Sequence, residues 1–225
     1  MNSYFLLEHL EDKYGKDVPV IHWPKGLDWF FPNFSFRHAS STRYKMIART
    51  GLDRPIMGEL SSFREPSSIF SLTYGKGSKV VSMLRRQIGE EAFGGVFKRI
   101  FAEYRFKNLS LEDFIRICEE ESGQSLKWFF DEWLQTAQIC DYAVEGHSIV
   151  NRGGIVMPVE IEAQYKDGSR ARSTWDGRGQ KVLEDTAANP IQEIVVDPDA
   201  ELLDVDRTNN AWPRKIRTKI VPLQM

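Results

Sequence analysis

The sequence predicts an α+β chain built as two modules, an α-helical lobe followed by a small antiparallel β-sandwich. Two observations support this fold class. Apolar residues recur with the helical period of about 3.6 residues through the first part of the chain. From about Tyr142 they alternate with polar residues, which is typical of strands. We therefore expect residues 1–138 to form the helical lobe, and residues 139–225 to form the β-sandwich domain and a C-terminal extension.

The first helix is predicted from Tyr4 to Tyr14, where Gly15 ends it. The stretch that follows, to about Asp53, is predicted to be rich in loops because it contains several prolines and a cluster of aromatic residues. These residues are Pro19, Pro24 and Pro32, and Trp29, Phe30, Phe31, Phe34 and Phe36. Helices are expected to dominate from there to the end of the lobe.

Four apolar stripes follow in the second half of the lobe. The second has the strongest helical spacing, at positions i, i+3, i+4, i+7, i+8 and i+11. The helix that carries the third stripe is predicted to begin at Ser110, which can form a capping box with Asp113, and to end at Gly123. We assign the stripes to the packing core rather than to chemistry. They are Val80, Val81, Leu84 and Ile88; Phe93, Val96, Phe97, Ile100, Phe101 and Tyr104; Leu111, Phe114, Ile115 and Cys118; and Leu126, Phe129, Phe130, Trp133 and Leu134.

The sandwich is predicted to extend from about Tyr142 to Asn210. Its longest strand is followed by a hairpin turn at Asp167-Gly168, from which a second strand, Ala171 to Trp175, returns. Two short strands, Lys181 to Leu183 and Ile191 to Val196, complete the pattern. The longest strand is half-buried: Ile155, Met157, Val159, Ile161, Ala163 and Tyr165 form one face, and Glu160, Glu162 and Gln164 the other.

Composition limits the function classes. The 225 residues are 41% hydrophobic and 28% charged, which is ordinary for a globular protein. A formal net charge of −2 argues against a nucleic-acid partner, and the one basic stretch, WPRKIRTK, is interpreted as a solvated strand edge. Two cysteines, Cys118 and Cys140, cannot build a disulfide framework, so we predict buried thiols.

The chain opens with an apolar helical pattern, NSYFLLEHLEDKYG, that follows Met1 without a capping residue. Neither a secretory signal nor an apolar run of about 18 residues is found in the sequence, which for a complete protein would suggest the cytoplasm. A helix entered in its middle indicates instead that the chain is a fragment. The cellular location therefore stays open.

The stretch SLTYGKGSKVV admits three interpretations. A phosphate-binding P-loop is excluded, because Phe70 and Gly77 stand where a glycine and a hydroxyl residue are required. A helix start is possible, in which Gly75 and Gly77 allow an unusual backbone and Ser78 is a weak N-cap. The third interpretation is an active-site turn that carries Tyr74.

Signals for metal or nucleophile chemistry are not found in this sequence. None of the four histidines, His9, His22, His38 and His147, begins an H-E-x-x-H pair, and no G-x-S-x-G elbow occurs. The stretch VVDPDAELLDVDRTNN contains oxygen donors that suit calcium, but it lacks the glycine and the closing glutamate of an EF-hand. Strand ends and turns are therefore favoured for its aspartates, which are Asp197, Asp199, Asp204 and Asp206.

Four motifs occur in order between Asp53 and Trp133. They are TYGKG at residues 73–77, then VVSMLRRQIGEEAF, then YRFKNLSLEDF from Tyr104, and then SLKWFFDEWL. In this order and at this spacing they resemble the zinc aminopeptidases of the gluzincin type, the family of aminopeptidase N and its leukotriene-hydrolase relatives. The order of the four motifs, rather than any single one, carries the resemblance.

The resemblance implies one catalytic residue, Tyr74, which matches the family tyrosine whose hydroxyl stabilises the oxyanion of the tetrahedral intermediate. Lys76 and Gly77 also match, and we interpret them as structural. The zinc ligands of the family would lie upstream of Met1, so zinc belongs to the intact protein, and we expect this chain to hold neither a metal ligand nor a cofactor. The family pattern has a glycine and a proline after the last helix, where this chain has TAQICDY.

We therefore predict a fragment of a zinc metallopeptidase, an aminopeptidase that hydrolyses N-terminal residues from peptides and that is inactive as this chain alone. Its partners would be peptide substrates and the missing N-terminal part of the same protein. Tyr4, Leu7 and their neighbours are expected to form an exposed apolar patch, so the fragment should self-associate. Two alternatives stay open: a non-catalytic peptidase-like protein, and a helical and β-sandwich interaction module.

Overall fold

The computed structural model describes residues 1–15, 24, 36–59, 61, 63 and 66–214, without the side chains of residues 36–40, 66 and 67. Helices occupy the first part of the chain and strands the second, so the predicted α+β fold class is confirmed. The helices are α1 (Asn2–Tyr14), α2 (Phe36–Arg49), α3 (Pro66–Phe70), a first π-helix (Ser71–Lys76), α4 (Gly77–Ile88), α5 (Glu90–Tyr104), α6 (Leu111–Ser122), α7 (Lys127–Phe130) and a second π-helix (Asp131–Gln135). Among the described residues, no helix has both the length and the apolar character needed to cross a bilayer.

Local sequence signals determine both ends of α6. The Ser110 side chain accepts a hydrogen bond from the backbone N–H of Asp113 at 3.0 Å, which satisfies a donor that the first helical turn leaves free. Gly123 ends the helix with a φ of 66°, a left-handed conformation that glycine adopts without steric cost. The predicted start and end of this helix are confirmed, and α1 and α4 likewise end at Gly15 and Gly89.

The predicted apolar stripes lie largely in the core, with an exception at the end of α5. Phe93 and Val96 are buried, whereas Phe101, near the C-terminal end of α5, is 66% exposed. The buried state predicted for Cys118 and Cys140 is confirmed, and both are free thiols.

The predicted exposure of Tyr4 is wrong. Its ring is buried edge-on against Phe93, and its hydroxyl accepts a hydrogen bond from Arg85 Nη1 at 2.6 Å. The exposed apolar surface lies one residue further along α1. There the ring of Phe5 meets the ring of Phe97 at a centroid distance of 4.8 Å, and Phe101 follows one helical turn later. We call Phe5, Phe97 and Phe101 the α1/α5 apolar strip.

The loop-rich structure predicted up to Asp53 is wrong for residues 36–49, which form α2. This helix buries Tyr44 and Ala48, which are four residues apart and therefore lie on one face. Its other positions are mostly polar, so the apolar signal is weak. The predicted aromatic cluster from Trp29 to Phe34, together with Pro19 and Pro32, lies outside the described residues.

The interpretation of Ser78 as the N-cap of a helix start is also wrong. Residues 66–88 form one continuous helical run whose middle turn is π-helical. The N–H of Gly77 donates to the carbonyl oxygen of Leu72, five residues earlier, and Gly77 has an ordinary helical φ of −60°. The hydroxyl of Ser78 donates to the carbonyl oxygen of Gly75 at 3.2 Å and does not cap a helix.

The strands form two antiparallel sheets, as the alternating pattern predicts. One sheet has the order β1-β2-β5 and the other the order β4-β3-β6-β7. The predicted hairpin at Asp167-Gly168 joins β3 to β4, and the register pairs Val159 with Trp175. The strands are β1 (Tyr142–Glu145), β2 (Ser148–Asn151), β3 (Val159–Tyr165), β4 (Arg170–Trp175), β5 (Gln180–Val182), β6 (Ile191–Val196) and β7 (Ala211–Trp212).

The helical part and the sandwich share one apolar core, in which Trp133 and Ile155 are both fully buried. Polar contacts reinforce this junction. Glu132 Oε2 accepts a hydrogen bond from the N–H of Val156 at 2.7 Å, and Lys79 Nζ donates to the carbonyl oxygen of Ala200 at 3.0 Å. The two parts are therefore packed together, and the boundary after residue 138 stays a prediction.

Candidate active site

Tyr74 lies on the outer side of the first π-helix. The inner side of this turn carries Leu72 and Lys76, both fully buried, while Thr73 and Tyr74 face outward and Tyr74 is 54% exposed. Among the described residues, none forms a hydrogen bond with the Tyr74 hydroxyl. The structure therefore presents a phenol hydroxyl at the surface of the helical part.

The ring of Tyr74 is supported from one side by Phe70. The two rings are stacked at a centroid distance of 5.8 Å with an interplanar angle of 14°, and Phe70 is itself 57% exposed. Thr73 Oγ1 donates to the carbonyl oxygen of Ile69 at 2.7 Å, so the neighbouring side chain is tied to the preceding turn. The position of the Tyr74 ring is therefore defined by its stacking contact with Phe70.

A buried ion pair lies on the opposite side of the same turn. Lys76 Nζ is 3.4 Å from Asp53 Oδ2 and 3.5 Å from the carbonyl oxygen of Thr136. The hydroxyl of Tyr44 donates to Asp53 Oδ2 at 2.9 Å, and the N–H of Arg54 donates to Asp53 Oδ1 at 2.8 Å. Tyr44, Asp53 and Lys76 form what we call the buried anchor.

Burial opposes the charge of both members of the pair. It lowers the pKa of Lys76 and raises the pKa of Asp53, and in each case the charge of the partner acts in the other direction. The hydrogen bond from Tyr44 also favours the Asp53 carboxylate. Each charge therefore depends on the other, because water does not reach either group.

The sequence predicts a structural role for Lys76 but does not identify Asp53 or Tyr44 as its partners. One signal was present in the sequence. Lys76 falls four residues after Leu72 and four before Val80, both of which are buried, so it occupies the inner face of a helical run. A lysine at such a position requires a buried acid, but the sequence does not indicate which acid.

The described residues contain no group of three or more His, Cys, Asp or Glu side chains that could hold a metal ion. His9 is exposed on α1, and the ring of His147 packs edge-on against Trp212 at a centroid distance of 4.7 Å. His22 lies outside the described residues, and the side chain of His38 is not described. A zinc ion therefore finds no ligand set in the described part of the chain.

The acidic stretch after β6 has a structural role, as the sequence predicts. Asp197 pairs with Arg207, and Asp204 accepts a hydrogen bond from the N–H of Tyr142 at 2.9 Å. The carboxylates are thus directed toward different partners rather than toward one point. Asp199 contacts Arg172 and Asp206 contacts Arg49, each at 2.7 Å.

The resemblance to gluzincin aminopeptidases implies a helical lobe followed by a small β-domain, and the described part of the chain has this order of helices and sheets. Residues 25–133 match the Peptidase family M1 domain. This match includes the buried anchor, Tyr74, the first three motifs and the fourth as far as Trp133. The resemblance is confirmed: residues 25–133 are similar to the family M1 domain, and proteins similar to this chain are aminopeptidases.

Similar proteins are much longer than this chain. Aminopeptidase N of Streptomyces lividans is 37% identical over 86 residues, which are 38% of this chain and 10% of that protein. Aminopeptidase M1-D of Oryza sativa subsp. japonica is 28% identical over 156 residues, 66% of this chain and 17% of that protein. The crystal structure of Legionella pneumophila aminopeptidase A in complex with aspartic acid overlaps 81% of this chain and 20% of its own, with 15% identity and a TM-score of 0.46. The chain thus spans a fifth or less of the length of each.

Proposed function

We propose that this chain is part of a zinc-dependent aminopeptidase that hydrolyses N-terminal residues from peptides, and that Tyr74 is a catalytic hydrogen-bond donor. The observation that carries the proposal is the position of Tyr74. It lies within the residues that match the M1 domain, on the exposed side of the π-helix, with its hydroxyl not engaged by any described residue.

A phenol hydroxyl suits this role chemically. Attack on the carbonyl carbon of a peptide bond transfers negative charge to the carbonyl oxygen. A donor that meets this oxygen stabilises the transition state more than the ground state, and so accelerates the reaction. Tyr74 has one proton to donate, and its ring is held against Phe70, which limits the directions in which the hydroxyl can point.

Zinc is implied by the family, and we propose that its ligands lie upstream of Met1. When bound, zinc would supply Lewis-acid chemistry at the substrate carbonyl and at the attacking water. The described residues offer no ligand set, so no step of the metal is assigned to this chain. The proposed partners are accordingly peptide substrates and an N-terminal part of the same protein.

The test is the Tyr74→Phe substitution in a form of the protein that includes the upstream part. We expect kcat and kcat/KM to fall together by about 100-fold to 1000-fold, with KM little changed, because only a transition-state contact is lost. The zinc content should equal that of the wild type, because the ring remains in place.

Tyr14→Phe is the matched control, since Tyr14 is an equally exposed tyrosine at the end of α1. It should leave turnover unchanged. A kcat of Tyr74→Phe within about threefold of the wild type would remove Tyr74 from the mechanism. A wild-type protein without metal-dependent turnover would favour a non-catalytic relative instead.

A further inference from the structure

We propose that the buried anchor of Tyr44, Asp53 and Lys76 acts as a positioning device for Tyr74: it fixes the π-helical turn from the inside and so directs the hydroxyl on the outside. The proposal rests on the proposed function of Tyr74. It assigns a role to three buried residues on the side of the turn opposite to Tyr74.

The anchor connects the π-helix to separate segments of the chain. Tyr44 comes from α2, Asp53 from the segment after α2, and Lys76 is the last residue of the π-helix. Lys76 also approaches the carbonyl oxygen of Thr136, directly after the second π-helix. The turn that carries Tyr74 is therefore held to α2 and to the end of the helical part through one ammonium group.

The geometry of the turn explains why this connection matters. A π-helical turn is a rare conformation that needs support from its surroundings. Its inner side has two long side chains, the apolar Leu72 and the charged Lys76, and both are fully buried. Tyr74 lies between them in sequence, so any rotation of the turn about its axis changes the direction of the phenol.

The charge of Asp53 is what keeps the Lys76 side chain on the inner side of the turn. A buried ammonium group with no counter-charge would be driven toward water. Lys76 can reach water only if the turn rotates outward, because its Nζ lies against Asp53 and 5.5 Å from the centre of the Tyr44 ring. Asp53 thus keeps Lys76 inward, and Tyr44 keeps the Asp53 carboxylate in place through its hydroxyl.

A double-mutant cycle in the form that includes the upstream part tests whether Lys76 acts through Tyr74. Lys76→Met removes the charge and keeps the length of the side chain. We expect kcat to fall about tenfold or more in the wild-type background, with KM changed less than threefold. In the Tyr74→Phe background we expect no further loss, because the group that is being positioned has already been removed.

A merely structural lysine gives a different result. If Lys76 only stabilises the fold, Lys76→Met lowers kcat by the same factor in the wild-type and Tyr74→Phe backgrounds. This outcome would overturn the proposal. Tyr44→Phe is the second variant if Lys76→Met does not fold, since it deletes only the hydrogen bond to Asp53. Lys127→Met is the matched control, because Lys127 forms an exposed ion pair with Asp131 and should have no effect.

A second readout does not depend on catalysis. The 225-residue chain labelled with 3-fluorotyrosine has one ¹⁹F resonance for each of its seven tyrosines, and Tyr74→Phe identifies the one from Tyr74. We expect Lys76→Met and Tyr44→Phe to shift or split this resonance, while that of Tyr165 in the sandwich stays unchanged. An unmoved Tyr74 resonance overturns the positioning role. A moved resonance, together with no metal-dependent turnover in the form that includes the upstream part, would leave positioning intact and reject the proposed function alone.

Discussion

Asp204 is a carboxylate enclosed by the sandwich and satisfied by three donors. These are the backbone N–H groups of Tyr142 and Asp206, each at 2.9 Å, and the side-chain amide of Asn210 at 3.0 Å. The donors favour the ionised form, but burial outweighs them and raises the pKa of Asp204 to about 6. The residue therefore connects the stability of the sandwich to pH.

We predict that the free energy of unfolding contains a pH-dependent contribution from Asp204. The folded protein keeps this carboxyl protonated to a higher pH than the unfolded chain does. Its contribution is therefore complete below about pH 4 and is lost as the pH rises through about 6. A pKa raised from 3.8 to about 6 corresponds to roughly 3 kcal/mol.

The measurement is urea unfolding of the wild type and of Asp204→Asn between pH 4 and 7.5. The difference in unfolding free energy between the two should decrease with rising pH in that window. A difference that stays constant would show that Asp204 is already ionised in the fold.

Among the single helices and strands, the first π-helix is one whose type could not be predicted from the spacing of its buried residues. Leu72, Lys76 and Val80 are spaced by four, which a regular α-helix accommodates equally well, so periodicity does not reveal the widened turn. The tyrosine and lysine of the motif could be identified from sequence. Their placement on opposite sides of one turn depends on packing against α2 and could not.

Two glycines of the helical part, Gly77 and Gly123, lead to opposite predictions for the stability of their alanine variants. Gly77 has a helical φ of −60°, and a Cβ there would meet only the carbonyl oxygen of Leu72 at an ordinary 3.7 Å. Gly77→Ala should therefore stabilise this chain by up to about 1 kcal/mol. Gly123 has a φ of 66°, so Gly123→Ala should destabilise it by about 1 to 2 kcal/mol.

Thermal or urea unfolding of the two variants beside the wild type gives both values. A Gly77→Ala chain that is less stable than the wild type would show that the turn does need a glycine, as the sequence alone suggests.

The other helices and strands were predictable from sequence only where their ends or faces carry a strong local signal. α6 was predictable because Ser110 and Gly123 mark its ends, and the strands because one face of β3 is apolar and the other charged. α2 was not predictable, since it buries only Tyr44 and Ala48 among its described side chains. Long-range partners, such as Asp53 for Lys76, follow from the tertiary fold and leave no local signal.

At the scale of the whole molecule, the α1/α5 apolar strip predicts self-association of this chain. Phe5 and Phe101 are exposed at the two ends of the strip, with Phe97 between them. Covering such a surface removes apolar area from water, at about 25 cal/mol per Å². Light scattering should show species larger than a monomer, and Phe101→Ser should reduce them. Tyr14→Ser, at a separate exposed site, should not; a strictly monomeric wild type would contradict the prediction.

We also predict that this chain alone is not a peptidase. Tyr74 can stabilise a developing charge, but it cannot generate a nucleophile, and the described residues have no ligand set for zinc. With added zinc, aminoacyl-nitroanilide substrates should be cleaved no faster than in buffer. Turnover that a chelator abolishes would refute this, and would direct attention to the histidines whose side chains are not described.

The buried pair of Lys76 and Asp53 constrains how this chain can evolve. A mutation in either codon alone leaves a charge without its counter-charge in a place that water does not reach. Lineages can therefore exchange the two residues together or keep both, although 23 positions separate them. Among homologues, we expect the acid to disappear only where the base has disappeared as well.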